Sequence, residues 1–175
     1  VERDRSVQRT GEESFDAQRL AMGGFRTDWA ISKVHSFNMS GGIYEGEEMS
    51  EALGPAFAGA GDAQVSGSHL LARWTSVPSP DSEVSLQAYY DGYRRDIPDV
   101  FEEQRDTADV QALHRFQWDR LRTTVTYGAG YRASNDDTGG PPRALIFEPA
   151  SRTLETSNAF AQGQVQLAAA GELTR

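Results

Sequence analysis

SGSHLLARWTSV, residues 66–77, and EVSLQAYYDGY, residues 83–93, face each other in the sequence across Pro78-Ser79-Pro80-Asp81. Both alternate apolar and polar side chains. In the second, Val84, Leu86, Ala88 and Tyr90 fall on one side, and Ser85, Gln87, Tyr89 and Asp91 on the other. A second pair follows: 107–117, a tight turn near Trp118-Asp119, then 121–132. Period-2 patterning without an intervening helical period predicts two consecutive hairpins of an antiparallel sheet.

Working outward, 17–31 reads as a first strand, with Phe25, Trp29 and Ile31 opposite Arg26 and Asp28. A short turn at Ser32-Lys33 leads to a second strand, 34–45, with Phe37, Met39, Gly41 and Ile43 on one side. Residues 157–167 read as the seventh strand, and a turn around Ala170-Gly171 leads toward an eighth. Residues 1–15 are polar and unpatterned and read as loop. Long loops are expected at 46–65, 94–106 and 133–156, with a helical turn over 47–53 that Gly54-Pro55 ends. The fold expected is an all-β, antiparallel up-and-down meander of about seven strands. Short turns follow its odd strands and long loops its even ones. That asymmetry is the rule in outer-membrane barrels.

Composition narrows the function. The 175-residue chain has a net charge of -9, so nucleic acid is not an expected partner. It has no cysteine, which removes disulfides and thiolate chemistry. No apolar run approaches the ~18 residues of a transmembrane helix. A charged start at Val1 and an end in Glu-Leu-Thr-Arg predict a piece of a longer protein.

The two faces differ in kind. One carries Arg26, Asp28, Arg73, Gln87, Asp91, Asp109, Gln111, Arg115, Arg122 and Arg132. The other carries Val84, Leu86, Ala88, Val125, Ala129, Ala161, Val165 and Leu167, small and aliphatic. The six tyrosines fall near the long-loop end and the three tryptophans near the short-turn end. Aromatic rings gather at both water interfaces of a bilayer. Three readings are open: a wall section of a large membrane barrel with a hydrated lumen, a self-contained small outer-membrane barrel acting as an adhesin or structural protein, and a soluble secreted β-sandwich binding module.

Four stretches carry a family likeness: Arg73-Trp74, Gln87-Ala88-Tyr89-Tyr90-Asp91, Gly128-Ala129-Gly130-Tyr131-Arg132 and Ala159-Phe160-Ala161-Gln162. In this order the chain resembles the β-barrel of TonB-dependent outer-membrane receptors over roughly residues 17–175. Gly163 departs from the pattern, which often has an acidic residue there. The resemblance implies part of a transmembrane β-barrel in the bacterial outer membrane. Its implied partners are a ferric siderophore or similar nutrient complex, the receptor's own plug domain and remaining strands, TonB through that plug, and outer-membrane lipid. It implies no cofactor and no enzyme activity. Residues near the loop ends are the expected ligand contacts: Tyr44, Tyr90, Tyr93, Arg94, Arg95, Phe101 and Arg132. Tyrosine and arginine suit an anionic ligand through stacking and charge-assisted hydrogen bonds.

Other chemistry finds no support in the pattern. Gly128, Gly130 and Ala133 fit GxGxxA, but the residues after them do not open a helix. The glycines instead mark a crowded spot or bend in a strand. Glu47-Glu48 and Glu102-Glu103 are sequence neighbours, not a flanking acid pair. His35, His69 and His114 lack metal-ligand spacing. Asn135-Asp136-Asp137 lacks the ligand ladder of a calcium loop.

Overall fold

The computed structural model describes residues 2–4, 9, 18–48, 62–118, 122–140 and 147–165. They form one eight-stranded antiparallel sheet in which every strand pairs with its sequence neighbours. The strands are β1 (Glu2–Arg3), β2 (Gln18–Ala30), β3 (His35–Glu48), β4 (Ala63–Ser79), β5 (Ser82–Ile97), β6 (Phe101–Trp118), β7 (Thr123–Gly139) and β8 (Ser151–Val165). No helix occurs among the described residues. The meander and its seven long strands match the sequence pattern. The eighth, β1, lies in the stretch read as loop and pairs with Gln18 and Arg19 of β2.

The strands are longer than the alternation suggested, and the expected loop at 94–106 is a correction. β5 and β6 remain paired up to Ile97 and Phe101, leaving a turn of Pro98, Asp99 and Val100. The Val100 N–H donates to the Ile97 carbonyl at 2.9 Å, and Asp99 has φ 61°. Proline followed by a residue of positive φ is the chemistry of a type II turn, with Asp99 in the place glycine usually takes. Charges over 94–96 and 102–106 suggested a solvated loop. Their backbone groups instead complete the ladder, while Arg94 bonds Gln104 across it at 2.8 Å.

The loop at 133–156 is shortened too, because β7 runs to Gly139 and β8 starts at Ser151. At 46–65, β3 reaches Glu48 and β4 starts at Ala63; Glu47 and Glu48 are strand, not helical turn. The remainder of that proposed turn, the turn residue Asp119, Leu167 and the segment around Ala170-Gly171 lie outside the described residues. The pairing of β4 with β5 shifts between Ser76 and Ser79, around Pro78, which has no N–H to give the ladder.

Register sorts the side chains. From Trp29 the row across the sheet is Phe37, Trp74, Leu86, Ala112, Ala129 and Ala159. The next row holds Asp28, Asn38, Arg73, Gln87, Gln111, Gly130 and Asn158. Members of a row share a side, and adjacent rows point to opposite sides. The apolar and polar faces therefore fall as the alternation predicts. Arg122 is the exception: it sits in the turn before β7 with φ 47°, not on the polar face.

Among the described residues the sheet has almost no core. Among the described residues the buried apolar ones are Ala63, Val65, Ile97 and Val100, at the end beyond the tyrosines. Phe101 packs on this small cluster and meets Phe147 at 5.9 Å. By contrast, Phe25, Trp29, Ile43, Leu70, Leu86, Val110 and Trp118 of the apolar face are each more than two-fifths exposed.

Candidate functional site

The polar face carries the chemistry. Toward its upper end, the end of the 98–100 turn, one row contains Tyr44, Gly67, Tyr93, Arg105 and Asp136. Glycine shapes this region. A Cβ on Gly67 would lie 2.5 Å from the Tyr44 ring, so the ring rests directly on the backbone there. A Cβ on Gly42 would lie 2.8 Å from Cε1 of His69. These glycines let two aromatic side chains lie against the sheet. A groove of about 520 Å³ over Gly24 and Gly42 is lined in part by Met22, Arg26, Tyr44 and His69.

Ion pairs and hydrogen bonds surround this patch. Arg132 donates from Nε to Asp109 at 3.0 Å, and Asp109 is only 7% exposed. Tyr89 donates to Asp91 at 3.1 Å. Arg105 pairs with Asp136 and lies 3.7 Å from Glu103. Arg95 reaches Glu48 at 3.3 Å. Burial, with Tyr93 and Asp91 nearby, pushes the Tyr44 hydroxyl up, which keeps it a neutral donor at physiological pH. The Asp136 carboxylate raises Arg105 further and fixes its charge.

The seven residues expected to contact ligand divide between the faces. Tyr44, Tyr93, Arg95, Phe101 and Arg132 lie on the polar face. Tyr90 and Arg94 lie on the opposite side, where Tyr90 donates to Asp106 at 2.6 Å and Arg94 bonds Gln104. Of the polar-face set, Arg132 and Arg95 are held by carboxylates, and Phe101 belongs to the small apolar cluster. Tyr44 and Tyr93 are the pair that flanks Gly67. His69, opposite Asp91, belongs to the same patch. Its spacing from the other histidines says nothing of this role, whereas its place four residues from Arg73 puts it on the same side of the sheet.

Asn135, Asp136 and Asp137 lie within β7, on alternating sides, with Asp136 paired to Arg105. Gly128 sits under Phe160, whose Cε1 would be 2.9 Å from an added Cβ, which accounts for the glycine there. Among the described residues no cluster of three histidine, cysteine or acidic side chains is arranged to hold a metal ion.

A scan against protein-family models, a search of curated proteins and a search of solved structures each gave no match to this chain.

Proposed function

We propose that this sheet is a section of the wall of a transmembrane β-barrel in the bacterial outer membrane, and that the chain is a segment of a TonB-dependent receptor for energised uptake of a ferric siderophore or similar nutrient complex. The observation that carries the membrane reading is the exposed apolar face. On β6 it runs from Trp118 to Ala108. Ten residue-to-residue steps at ~3.4 Å each give roughly 34 Å along the strand, or roughly 26 Å at a tilt of about 40°. That matches the ~25 Å apolar band of outer-membrane barrels. In the five rows from Trp118 to Val110 this face has no Asp, Glu, Lys or Arg among the described residues. The Ala108 row already carries Glu155 on β8, and beyond it the face turns polar, with Asp106, Gln104 and Glu102.

The competing readings draw less support. A sandwich covers its apolar face with a second sheet, whereas all described strands lie in one. A closed small barrel pairs its first and last strands, whereas β1 pairs with β2 and β8 with β7. The receptor reading rests on the four motifs and on the tyrosine, histidine and arginine groups of the polar face, which a barrel turns toward its lumen. Tyr44 and Tyr93 offer ring faces and hydroxyls to an anionic complex, and the plug domain and loops of such a receptor complete the site.

Far-UV CD and sedimentation of the full chain, with and without detergent, test the membrane reading. A β signal and a monodisperse species only in detergent are expected. A monodisperse β-domain in plain buffer would sink it. For the receptor reading, ferric catecholate and hydroxamate complexes should quench the intrinsic fluorescence of the detergent-folded chain. Tyr44→Ala and Tyr93→Ala should weaken that quenching; identical titrations would remove these residues from the site.

A further inference from the structure

On the outward side of the same strands, just beyond the Ala108 row, an arginine and an aspartate share one groove without pairing. Arg94 donates to the Gln104 amide oxygen at 2.8 Å, and the Gln104 nitrogen donates to Asp106 at 2.9 Å. The Tyr90 hydroxyl donates to the other Asp106 oxygen at 2.6 Å. Among the described residues no carboxylate forms an ion pair with Arg94, and no cation forms one with Asp106. Arg19, on the same face, is by contrast held by Glu2 at 3.2 Å. The groove encloses about 310 Å³, and Ser66 and Ser68 bring hydroxyls to it. Gly92 keeps it open: a Cβ there would lie 3.0 Å from the Tyr90 hydroxyl and 3.3 Å from Asp106.

The depth of the groove is that of lipid headgroups. The row of Ser68, Gly92 and Asp106 lies two residues beyond that of Ala108. At ~3.4 Å per residue and a tilt of about 40°, this is roughly 5 Å outside the apolar band. The row of Ser66, Arg94 and Gln104 lies roughly 10 Å outside it. A headgroup layer is roughly 5–8 Å deep on each side of the hydrocarbon. The long stem of an arginine lets its charge reach back into that layer.

The charges select among headgroups. A guanidinium keeps further N–H donors after one hydrogen bond, and a carboxylate keeps further acceptor sites after two. One groove thus offers a cation and an anion at once, which complements a zwitterion. An ethanolamine ammonium has N–H groups to give Asp106, whereas a choline nitrogen has none. Glu45 and Asp137 share the row of Arg94, and Glu155 that of Ala108, so a headgroup of purely negative charge meets repulsion. We propose that this groove binds the phosphoethanolamine headgroup of a membrane lipid, its phosphate at Arg94, Ser66 and Ser68 and its ammonium at Asp106. The site rests on the membrane reading above and lies on the other side of the sheet from the candidate ligand patch.

The full chain in phosphatidylcholine vesicles, doped in turn with spin-labelled phosphatidylethanolamine, phosphatidylcholine and phosphatidylglycerol, tests this at constant neutral pH. Electron paramagnetic resonance reads the motionally restricted lipid. Phosphatidylethanolamine is expected to be preferred about three-fold over either of the others, the scale of one partly exposed ion pair. Asp106→Asn abolishes the preference over phosphatidylcholine, and Arg94→Gln at least halves it. Arg115→Gln, which removes a cation from the other face, preserves it. Excess soluble phosphoethanolamine leaves it in place; its loss would assign the groove to a free solute and overturn the lipid assignment. Phosphatidylglycerol as the preferred lipid would overturn the zwitterion assignment. Vesicle flotation separates two failures. A chain that floats but shows no preference overturns the site alone. A chain that does not float overturns the membrane reading and the site with it.

Discussion

Val110 and Gln111 are neighbours in β6 and sit at the same depth, yet they meet opposite surroundings. Val110 shares its row with Ala88 and Tyr131 and is 55% exposed. Gln111 shares its row with Gln87, Arg73 and Asp28. In a water-soluble sheet the aliphatic side would be the covered one. Here the apolar side is open, while the polar side holds its charges in pairs such as Asp109 with Arg132. What covers the apolar side must come from outside the described strands. The difference between the faces is thus a statement about solvent, and it is most directly broken by moving one charge from one face to the other.

The largest effect is expected from Ala112→Arg, on the same face as Val110, six residues inside Trp118 and at the middle of the apolar band on β6. In lipid vesicles it should destabilise the folded chain by about 2–4 kcal/mol, the cost of a cation near the bilayer midplane. Gln111→Arg, one residue away on the other face, should change stability by less than about 0.5 kcal/mol. Reversible urea unfolding in vesicles measures both. Equal effects, or improved solubility of Ala112→Arg in plain buffer, would break the contrast. A smaller effect is expected from filling the crowded glycine positions. Gly128→Ala places a methyl 2.7 Å from the Ala112 carbonyl oxygen and against Phe160. Overpacking of this kind costs about 1–3 kcal/mol. Gly139 has nothing within 4 Å of an added Cβ, so Gly139→Ala serves as its comparison.

The faces were legible in the sequence because strand parity is a property of numbering alone. The alternation from Val84 to Asp91 assigns every one of those side chains to its side. The lengths of the strands were less legible. Arg94, Arg95 and Asp96 read as solvated loop because charge suggests water, but a backbone can complete its ladder whatever its side chains carry. Parity also held information about the candidate site that residue type obscured. Tyr90 and Tyr93 are an odd number of residues apart, so one strand cannot present both to one ligand. His69 and Arg73 are an even number apart and do share a side. The glycines that seat Tyr44 and His69 lie on other strands, and only the register brings them into contact.

Asp109 and Arg132 sharpen the comparison on the polar side. A double-mutant cycle of Asp109→Asn and Arg132→Gln should give a coupling of about 0.5–1 kcal/mol, modest because Arg132 remains 57% exposed. A coupling that vanishes in moderate salt would mark the pair as solvent-screened, as a hydrated lumen requires.

The smallest effect belongs to Asp106, just beyond the apolar band on the same face. The Tyr90 hydroxyl, then the Gln104 amide, then Arg94, hold its carboxyl below the usual aspartate range. A carboxyl whose pKa is lower in the folded state stabilises that state at pH values above its unfolded pKa. The contribution then falls away as acid protonates the folded group. Stability should therefore decline as pH drops below about 4, the unfolded aspartate value. Tyr90→Phe removes the largest of the three causes, so its acid decline should be shallower while stability near neutrality falls slightly. Unfolding free energy followed from about pH 5 to about pH 2 in both chains reads the difference. Parallel curves would mean that Tyr90 acts at this boundary only through its ring, as an interfacial aromatic, and that its hydrogen bond to Asp106 contributes nothing to the fold.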